Sequence, residues 1–334
     1  MATTSVTDGQ KLKSIIESEI DNAIGFIETE TTQQRTEALQ RYLRQPYGTE
    51  IEGKSQIVTG EVAEAVDGAL PPLVRIFSSS DEVVRFDARG PQDEAGAKQA
   101  TEYCNWVFMR DNDGLIIMHD WFKDALLQKV GVVKAYWEDK EDVTKEKYRD
   151  LSDDELAMLL SDETMEIVEK DVVENELKDP LGNTVLDQMG KPVMYTSNSV
   201  TVQKKKKSGH VVVENIPPEE FLISKRAKRN PSDAPFVAHR RLITRSDLIA
   251  MGFDKDIVNG LQTSESLTYS PEYLARVSPG ENPDDGISID EAMQTVEVFE
   301  CYVRADIDGD GIAELRQVFY ASNEILSDEE TDYI

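Results

Sequence analysis

Thr295-Val-Glu-Val-Phe-Glu-Cys-Tyr-Val-Arg-Ala305 leads into Asp306-Ile-Asp-Gly-Asp-Gly-Ile-Ala-Glu314, and the chain returns through Leu315-Arg-Gln-Val-Phe-Tyr-Ala321. β-Branched and aromatic residues alternate with polar ones on both sides of an Asp/Gly cluster. This is the pattern of two half-buried strands, over 295–305 and 312–321, joined by a tight turn. Upstream, Phe236–Ile243 has the same period and predicts another strand. From about Thr164 to Ser224 the alternation predicts antiparallel strands, with turns at Asp179-Pro-Leu-Gly182, Gln188-Met-Gly190 and Lys207-Ser-Gly209. Gly131–Glu138 reads as a strand, Glu138–Asp150 is charge-dense, and Ser152-Asp-Asp-Glu155 is a capping box opening a short helix to Leu160. Thr244–Gly252 and Asp254–Gly260 read as short helices, the first capped at Thr244. Ser270–Gly286, with Pro271, Pro279 and Pro283, reads as a loop.

The first third has a different period. Leu12, Ile15, Ile16, Ile20, Ala23, Ile24 and Ile27 recur at spacings of three and four, which puts one apolar stripe on a long helix. A polar helix is predicted near Thr32–Arg44, and a third from Gly60 to Phe77, which Pro71-Pro72 must kink or restart. Glu82–Asp87 alternates weakly, as a strand does. A helical hairpin follows. Ala97, Ala100, Cys104, Val107 and Phe108 share one face, Asp111-Asn-Asp-Gly114 breaks the helix, and Met118, Trp121, Phe122, Ala125 and Leu126 make the second stripe. The expectation is an α+β protein in which an N-terminal helical layer packs with a mixed or antiparallel β region. It falls into a helical region over 1–130, a β-rich region over 131–243, and small helices plus an acidic hairpin over 244–334. There is no internal repeat.

The chain has 334 residues, 39% of them apolar, and a formal charge of −29. That charge argues against broad nucleic-acid adhesion, which depends on Lys and Arg neutralising phosphates, and against anionic membrane surfaces. Cys104 and Cys301 are too few and too far apart for a disulfide framework and read as buried free thiols. The best apolar run, Leu115–Met118, falls far short of the roughly 20 residues a spanning helix needs, and the N-terminus lacks a signal-peptide core. A soluble protein of a reducing cytoplasm is expected.

Asp306, Asp308, Asp310 and Glu314 stand at positions 1, 3, 5 and 9 of the hairpin turn, with Gly311 at position 6. Alternate carboxylates around a glycine turn suit a hard cation such as Ca²⁺. Position 12 is Gln317 and the flanks are strands, so this is not an EF-hand. Any affinity falls in the weak class of about 0.1–1 mM. The competing reading is a turn in which Asp and Gly serve the backbone alone. Lys204, Lys205, Lys206 and Lys207 read as a basic hairpin tip. Such a tip contacts a phosphate or an acidic partner, or it simply discourages edge pairing. Walker A, G-x-G-x-x-G, G-x-S-x-G, H-E-x-x-H and C-x-x-C patterns are absent. His119-Asp120 adjoins an apolar face and reads as structural. No residue is proposed as catalytic.

Four segments together resemble the portal, or head-to-tail connector, proteins of short-tailed phages. They are Arg41-Tyr-Leu-Arg-Gln-Pro-Tyr-Gly48 with Gly53-Lys-Ser-Gln-Ile-Val58 and Val62–Leu73; Val213-Glu-Asn-Ile-Pro-Pro-Glu-Glu-Phe-Leu-Ile223; Ala238-His-Arg-Arg241 with Thr244–Phe253; and the strand into Asp306–Arg316. Their order and spacing over roughly residues 35–320 carry the likeness. The resemblance implies a wing-like fold and a homo-oligomeric ring, usually of twelve copies, at a capsid vertex of the virion, assembled in the host cytoplasm. Double-stranded DNA passes through such a ring during packaging and ejection without specific binding. Capsid protein, terminase and tail or adaptor proteins are the implied partners, and no membrane is involved. It also implies that stem, clip and C-terminal parts lie beyond residue 334. Twelve copies would carry twelve times −29, or −348, a field that discourages DNA from resting on the wall. The low apolar share fits a subunit completed by its neighbours. The alternative is a calcium-binding β-hairpin surface or adhesion module.

Overall fold

A computed structural model describes residues 6–27, 30–46, 48, 51, 53–55, 57–80, 82–159, 165–176, 184, 191–192, 194–228, 230–263, 270–277 and 290–334. Helices and antiparallel sheets make it an α+β protein, as the two hydrophobic periods predict. Packing groups the chain differently from its linear order. Residues 1–134 and 213–334 form one compact unit, and residues 135–212 form a second.

The first unit is organised by a five-stranded antiparallel sheet of order β4-β5-β6-β7-β8. Its strands are β4 (Phe221–Ile223), β5 (Phe236–Thr244), β6 (Thr295–Ala305), β7 (Glu314–Ala321) and β8 (Glu324–Glu330). The quoted hairpin supplies β6 and β7, with Cys301 opposite Val318 on one side and Ala238 on the other. On that face lies α1 (Val6–Ile27). Leu12, Ile16, Ile20 and Ala23 of the predicted stripe are buried against Phe236, Ala238, Cys301, Val303 and Val318. The opposite face carries Val296, Val298 and Ala321 under α7 (Arg245–Ala250) and α8 (Lys255–Gly260). Thr244 caps α7 as expected, its hydroxyl accepting from the Asp247 amide at 3.1 Å.

Strand β8 was not legible as a strand. The Ser322-Asn323 turn before it holds both residues at positive φ (46° and 65°), the geometry usually signalled by Asn-Gly. Asn323 tolerates it and accepts from the Tyr320 hydroxyl at 3.1 Å. Arg316 then grips Asp328 with two bonds, of 2.7 and 2.9 Å, across the β7–β8 pair.

The helical layer of this unit contains α2 (Glu30–Tyr42), α3 (Glu61–Ser78), α4 (Glu94–Trp106), α5 (Gly114–Gln128) and α9 (Pro271–Val277). Leu39, Val66, Leu127 and Ala275 join α2, α3, α5 and α9 in one small core. Four expectations need correction here. Of the two outcomes expected at Pro71-Pro72, a kink or a restart, the restart does not occur: α3 runs as one helix from Glu61 to Ser78, with Ala63, Val66 and Leu70 buried before the prolines. Helix α9 occupies the start of the expected loop. Pro271 stands at its first position, where a missing N–H costs nothing, and the Ser270 hydroxyl accepts from the Tyr273 amide at 3.2 Å. The rest of that loop, beyond Val277, lies outside the described residues.

The third correction concerns residues 82–87, which form no strand. Their backbone is held by side chains of α4 instead. Asn105 accepts from the amides of Val83 (2.7 Å) and Val84 (3.0 Å) and donates to the Val84 carbonyl (2.6 Å), while Thr101 accepts from Phe86 (3.0 Å). The fourth follows from it. The buried face of α4 is Thr101 and Asn105, and a π-helical turn over Val107–Asp111 follows; that of α5 is Ile117, Met118, Asp124, Leu127 and Gln128. Trp121, Ala125 and Leu126, predicted inside, are exposed. The apolar pattern misplaces the phase because Thr101, Asn105 and Asp124, polar residues with partners, occupy the interior. Cys301 is buried and free, as expected, whereas Cys104 is only half-buried.

The second unit holds α6 (Asp153–Leu159) and a three-stranded sheet of order β1-β3-β2, whose strands are β1 (Val132–Leu151), β2 (Met165–Glu176) and β3 (Met194–Ile216). Leu156 of α6 packs on Val200 and Val202, and the capping box is formed, with Ser152 and Glu155 exchanging bonds of 2.9 and 3.3 Å. The strand predicted over 131–138 continues through the charged run to Leu151. No turn occurs at Lys207-Ser-Gly209, where β3 runs unbroken. Gly209 serves close approach instead: a Cβ there would lie 2.3 Å from the Trp137 ring. The expected turns at 179–182 and 188–190 lie outside the described residues.

Replacing Asn105 with Ala removes the partner of three backbone groups of residues 83–84. The expected loss is about 1–3 kcal/mol in thermal unfolding, with faster amide exchange at Val83 and Val84. Unchanged exchange there would show that the side chain is not what holds this segment.

Candidate functional site

The acidic turn forms between β6 and β7. Gly309 and Gly311 adopt φ of 83° and 89°, which an L-residue rarely enters, so both glycines are required by the turn itself. Asp306 accepts from the amides of Gly309 (2.6 Å) and Gly311 (3.1 Å). Asp308 accepts from Asp310 (3.1 Å), and Asp310 from Ile312 (2.7 Å). The three aspartates also present carboxylate oxygens within 4.8 Å of one another. Glu314 stands apart from that group, as the first residue of β7 opposite Ala305. The turn is therefore built by its aspartates whether or not an ion joins them. Lys11 of α1 donates to the Asp306 carbonyl at 2.6 Å and ties it to the core.

Lys204–Lys207 fall within β3 rather than at a tip, with Lys204 opposite Met165. His119 is exposed, its Nδ1 2.8 Å from Asp120, rather than part of a core.

Sequence reasoning missed a buried ionic cluster in the first unit. Arg276 of α9 lies 2.9 Å from Asp124 of α5 and 2.7 Å from Glu219, which precedes β4. Arg35 of α2 lies 3.7 Å from Glu272 of α9 and donates to the Gln128 carbonyl at 3.2 Å. Asn215 adds a bond to Asp124 at 2.8 Å. Two guanidinium groups face three carboxylates, so one negative charge is left in a buried place. Burial pushes Glu219 and Glu272 above the ordinary carboxylate range, against the pull of Arg276 on the first and Arg35 on the second. Only Asp124, which with Lys123 interrupts the apolar residues of Trp121–Leu127, hinted at this from sequence. Glu300 of β6 is the opposite case: although burial opposes it, Lys134 at 2.5 Å holds its carboxyl below the usual range.

The helical layer also presents apolar side chains to solvent. Leu115 and Ile116 of α5 face Leu70, Pro71 and Val74 of α3 across a groove of about 620 Å³, with His119 on its wall. Tyr103 and Trp106 stand out from α4, next to Gly96 and Ala100. Trp121, Phe122 and Phe77 form an aromatic row, with centroids 5.6 and 5.4 Å apart. Among the described residues no helix is long and apolar enough to cross a membrane. Nothing in this inventory resembles a reacting centre. What it offers is a rigid frame with surfaces left uncovered.

A family model described as phage SU10 portal protein matches residues 12–334. A search of curated proteins returns no match.

The buried cluster makes stability depend on pH with a definite sign. A carboxylate whose pKa is raised on folding contributes fully below its unfolded value, near 4.5, and that contribution is lost as pH rises through the raised one. Glu272→Gln should therefore gain in melting temperature relative to wild type as pH climbs from about 4.5 to 7. Parallel melting curves across that range would refute the assignment.

Proposed function

The chain belongs to the phage SU10 portal protein family, and from that membership we propose that it is a subunit of a ring through which double-stranded DNA is packaged into the head and later ejected. Membership in this family makes it a structural head-to-tail connector of the virion, standing at a capsid vertex and assembled with further copies of itself and with capsid proteins. The further steps are ours. The ring holds twelve copies and is put together in the host cytoplasm. It docks the terminase and, after packaging, tail or adaptor proteins, and DNA slips past it without being gripped.

The observation that carries this reading is the extent of the family match, residues 12–334, which spans both compact units rather than one motif. Charge supports it. A chain at −29 neutralises few phosphates, so releasing DNA counterions on contact yields little free energy. We assign no catalytic residue. The ionic clusters are engaged in tying secondary-structure elements together, with their carboxylates beside arginine or lysine.

Two expectations complete the proposal. Asp306, Asp308 and Asp310 are ligands for a weakly held Ca²⁺, with Glu314 as an outer contributor. Lys204–Lys207 contact a phosphate or an acidic partner. The first is favoured by the 4.8 Å clustering of the three carboxylates, which is also what the calcium-module alternative would rest on.

Negative-stain microscopy should show rings with a central hole. Duplex DNA titrated at about 150 mM salt should bind no tighter than the non-specific range of roughly 10⁻⁴–10⁻⁶ M. Tight duplex binding at that salt would overturn the proposal. For the ion, calorimetry at several millimolar Ca²⁺ should give heat with wild type and none with Asp308→Ala. No heat from either protein leaves the aspartates as turn-formers only.

A further inference from the structure

Two exposed features of the first unit are rich in apolar side chains. One is the groove between α3 and α5, walled by Leu70, Pro71, Val74, Leu115 and Ile116. The other is the ridge of α4, where the half-exposed Tyr103 and Trp106 stand one helical turn apart and, with Gly96 and Ala100, border a shallow open hollow. Trp106 is 50% exposed, Tyr103 58%, Leu115 51% and Ile116 60%. Side chains of this kind at half exposure or more, gathered on one helical layer, mark a docking surface rather than scattered surface apolars.

Charge indicates what fits. Arg75 lies exposed on the groove lining, and among the described residues no carboxylate is within ion-pair reach of it. The groove's own acid, Asp67, is occupied by the Tyr42 hydroxyl at 2.9 Å. The ridge carries Glu102 beside Tyr103, held only by an exposed pair with Lys98 at 3.8 Å, which is worth little. A basic-rimmed apolar groove and an acid-flanked aromatic ridge complement each other. Both belong to one chain and both face solvent, so neither is filled by its own counterpart.

We infer that the ridge of α4 on one copy seats in the α3–α5 groove of the next, with Tyr103 and Trp106 against Leu115 and Ile116 and with Glu102 meeting Arg75. The partner is a second copy of this chain, and the contact is head-to-tail, so each copy gives a ridge and receives one. Such a contact generates a closed ring when its rotation closes and a filament when it does not. The inference rests on the ring reading above and adds the surface through which neighbours meet. Two aromatic residues already half-buried add well under the roughly 800 Å² per partner of a standard interface. The pairwise contact is therefore an anchor within a larger one, weak alone and strengthened by closure.

Cross-linking tests it on the full chain. Cys104 is first replaced by Ser, then Trp106→Cys and Ile116→Cys are introduced together and separately, and a short bismaleimide is added. The double variant should give a ladder of multimers and each single variant only monomer. In the double-cysteine background, Arg75→Glu should cut the ladder roughly threefold to tenfold, and adding Glu102→Arg should restore it. Both are exposed, so neither change threatens the fold. Dimers from a single variant, or rings in the microscope with no ladder, overturn this contact and leave the ring standing. A ladder indifferent to both charge reversals overturns the seating. Absence of rings and ladder at every concentration and salt overturns the ring reading as well.

Discussion

The structure depends on one long-range closure, the burial of α1 against the β5–β6–β7 face. Leu12, Ile16 and Ile20 meet Cys301, Val303 and Val318 across almost the whole length of the chain. Closing a loop of that length costs on the order of 5 kcal/mol beyond a constant. Burying three large aliphatic side chains offsets it by roughly 5–9 kcal/mol. The margin is modest, and polar ties reinforce it at the rim. Lys11 reaches the Asp306 carbonyl, Glu17 accepts from Tyr320 at 2.8 Å, and Arg226 reaches Glu19 at 2.5 Å. Both ends of the chain are held in one core, and residues 135–212 form a compact unit of their own.

What could be read from sequence follows from which force decides each element. The α1 stripe, the β6–β7 hairpin and the Thr244 and Ser152 caps were legible because a local pattern suffices for each: a period of 3.6 or 2, or a hydroxyl at the right offset. Where a partner far along the chain decides, the pattern failed. Residues 82–87 look like a strand yet are satisfied by Asn105 and Thr101. Gly209 looks like a turn yet gives room to Trp137. The buried face of α5 includes Asp124 because Arg276, from beyond position 270, is there to meet it.

The candidate sites divide in the same way. The acidic turn was visible because its ligand pattern is contiguous, and its geometry joins Asp306, Asp308 and Asp310 while leaving Glu314 on the strand. The cluster of Arg35, Asp124, Glu219, Glu272 and Arg276 was almost illegible because its members come from four separate segments. A buried site with one carboxylate in excess is an odd choice for stability alone, since a buried pair rarely outperforms an apolar core. It does couple the positions of several elements: the pairs of Arg35 and Arg276 join α2, α5, α9 and the lead into β4. That is a use suited to a subunit whose outer faces must be presented in a fixed relation.

A copy carrying −29 repels its neighbours, and the repulsion grows with each copy added. Association must then rely on short-range forces in places where the charge is thin. The groove lining of α3 and α5 is such a place, with Arg75 unpaired among the described residues and Asp67 already bonded to Tyr42. Pairwise contacts that are weak against this repulsion favour assembly only when many close at once, because closure makes the last contact intramolecular. Screening by salt lowers the repulsion between exposed charges separated by about 8–10 Å or more, while the apolar contact is left intact. On the ring reading, assembly is therefore expected at physiological ionic strength and is expected to be resisted in very dilute buffer. On the reading proposed above, the same negative field that hinders assembly also discourages a passing polyanion from settling on the wall.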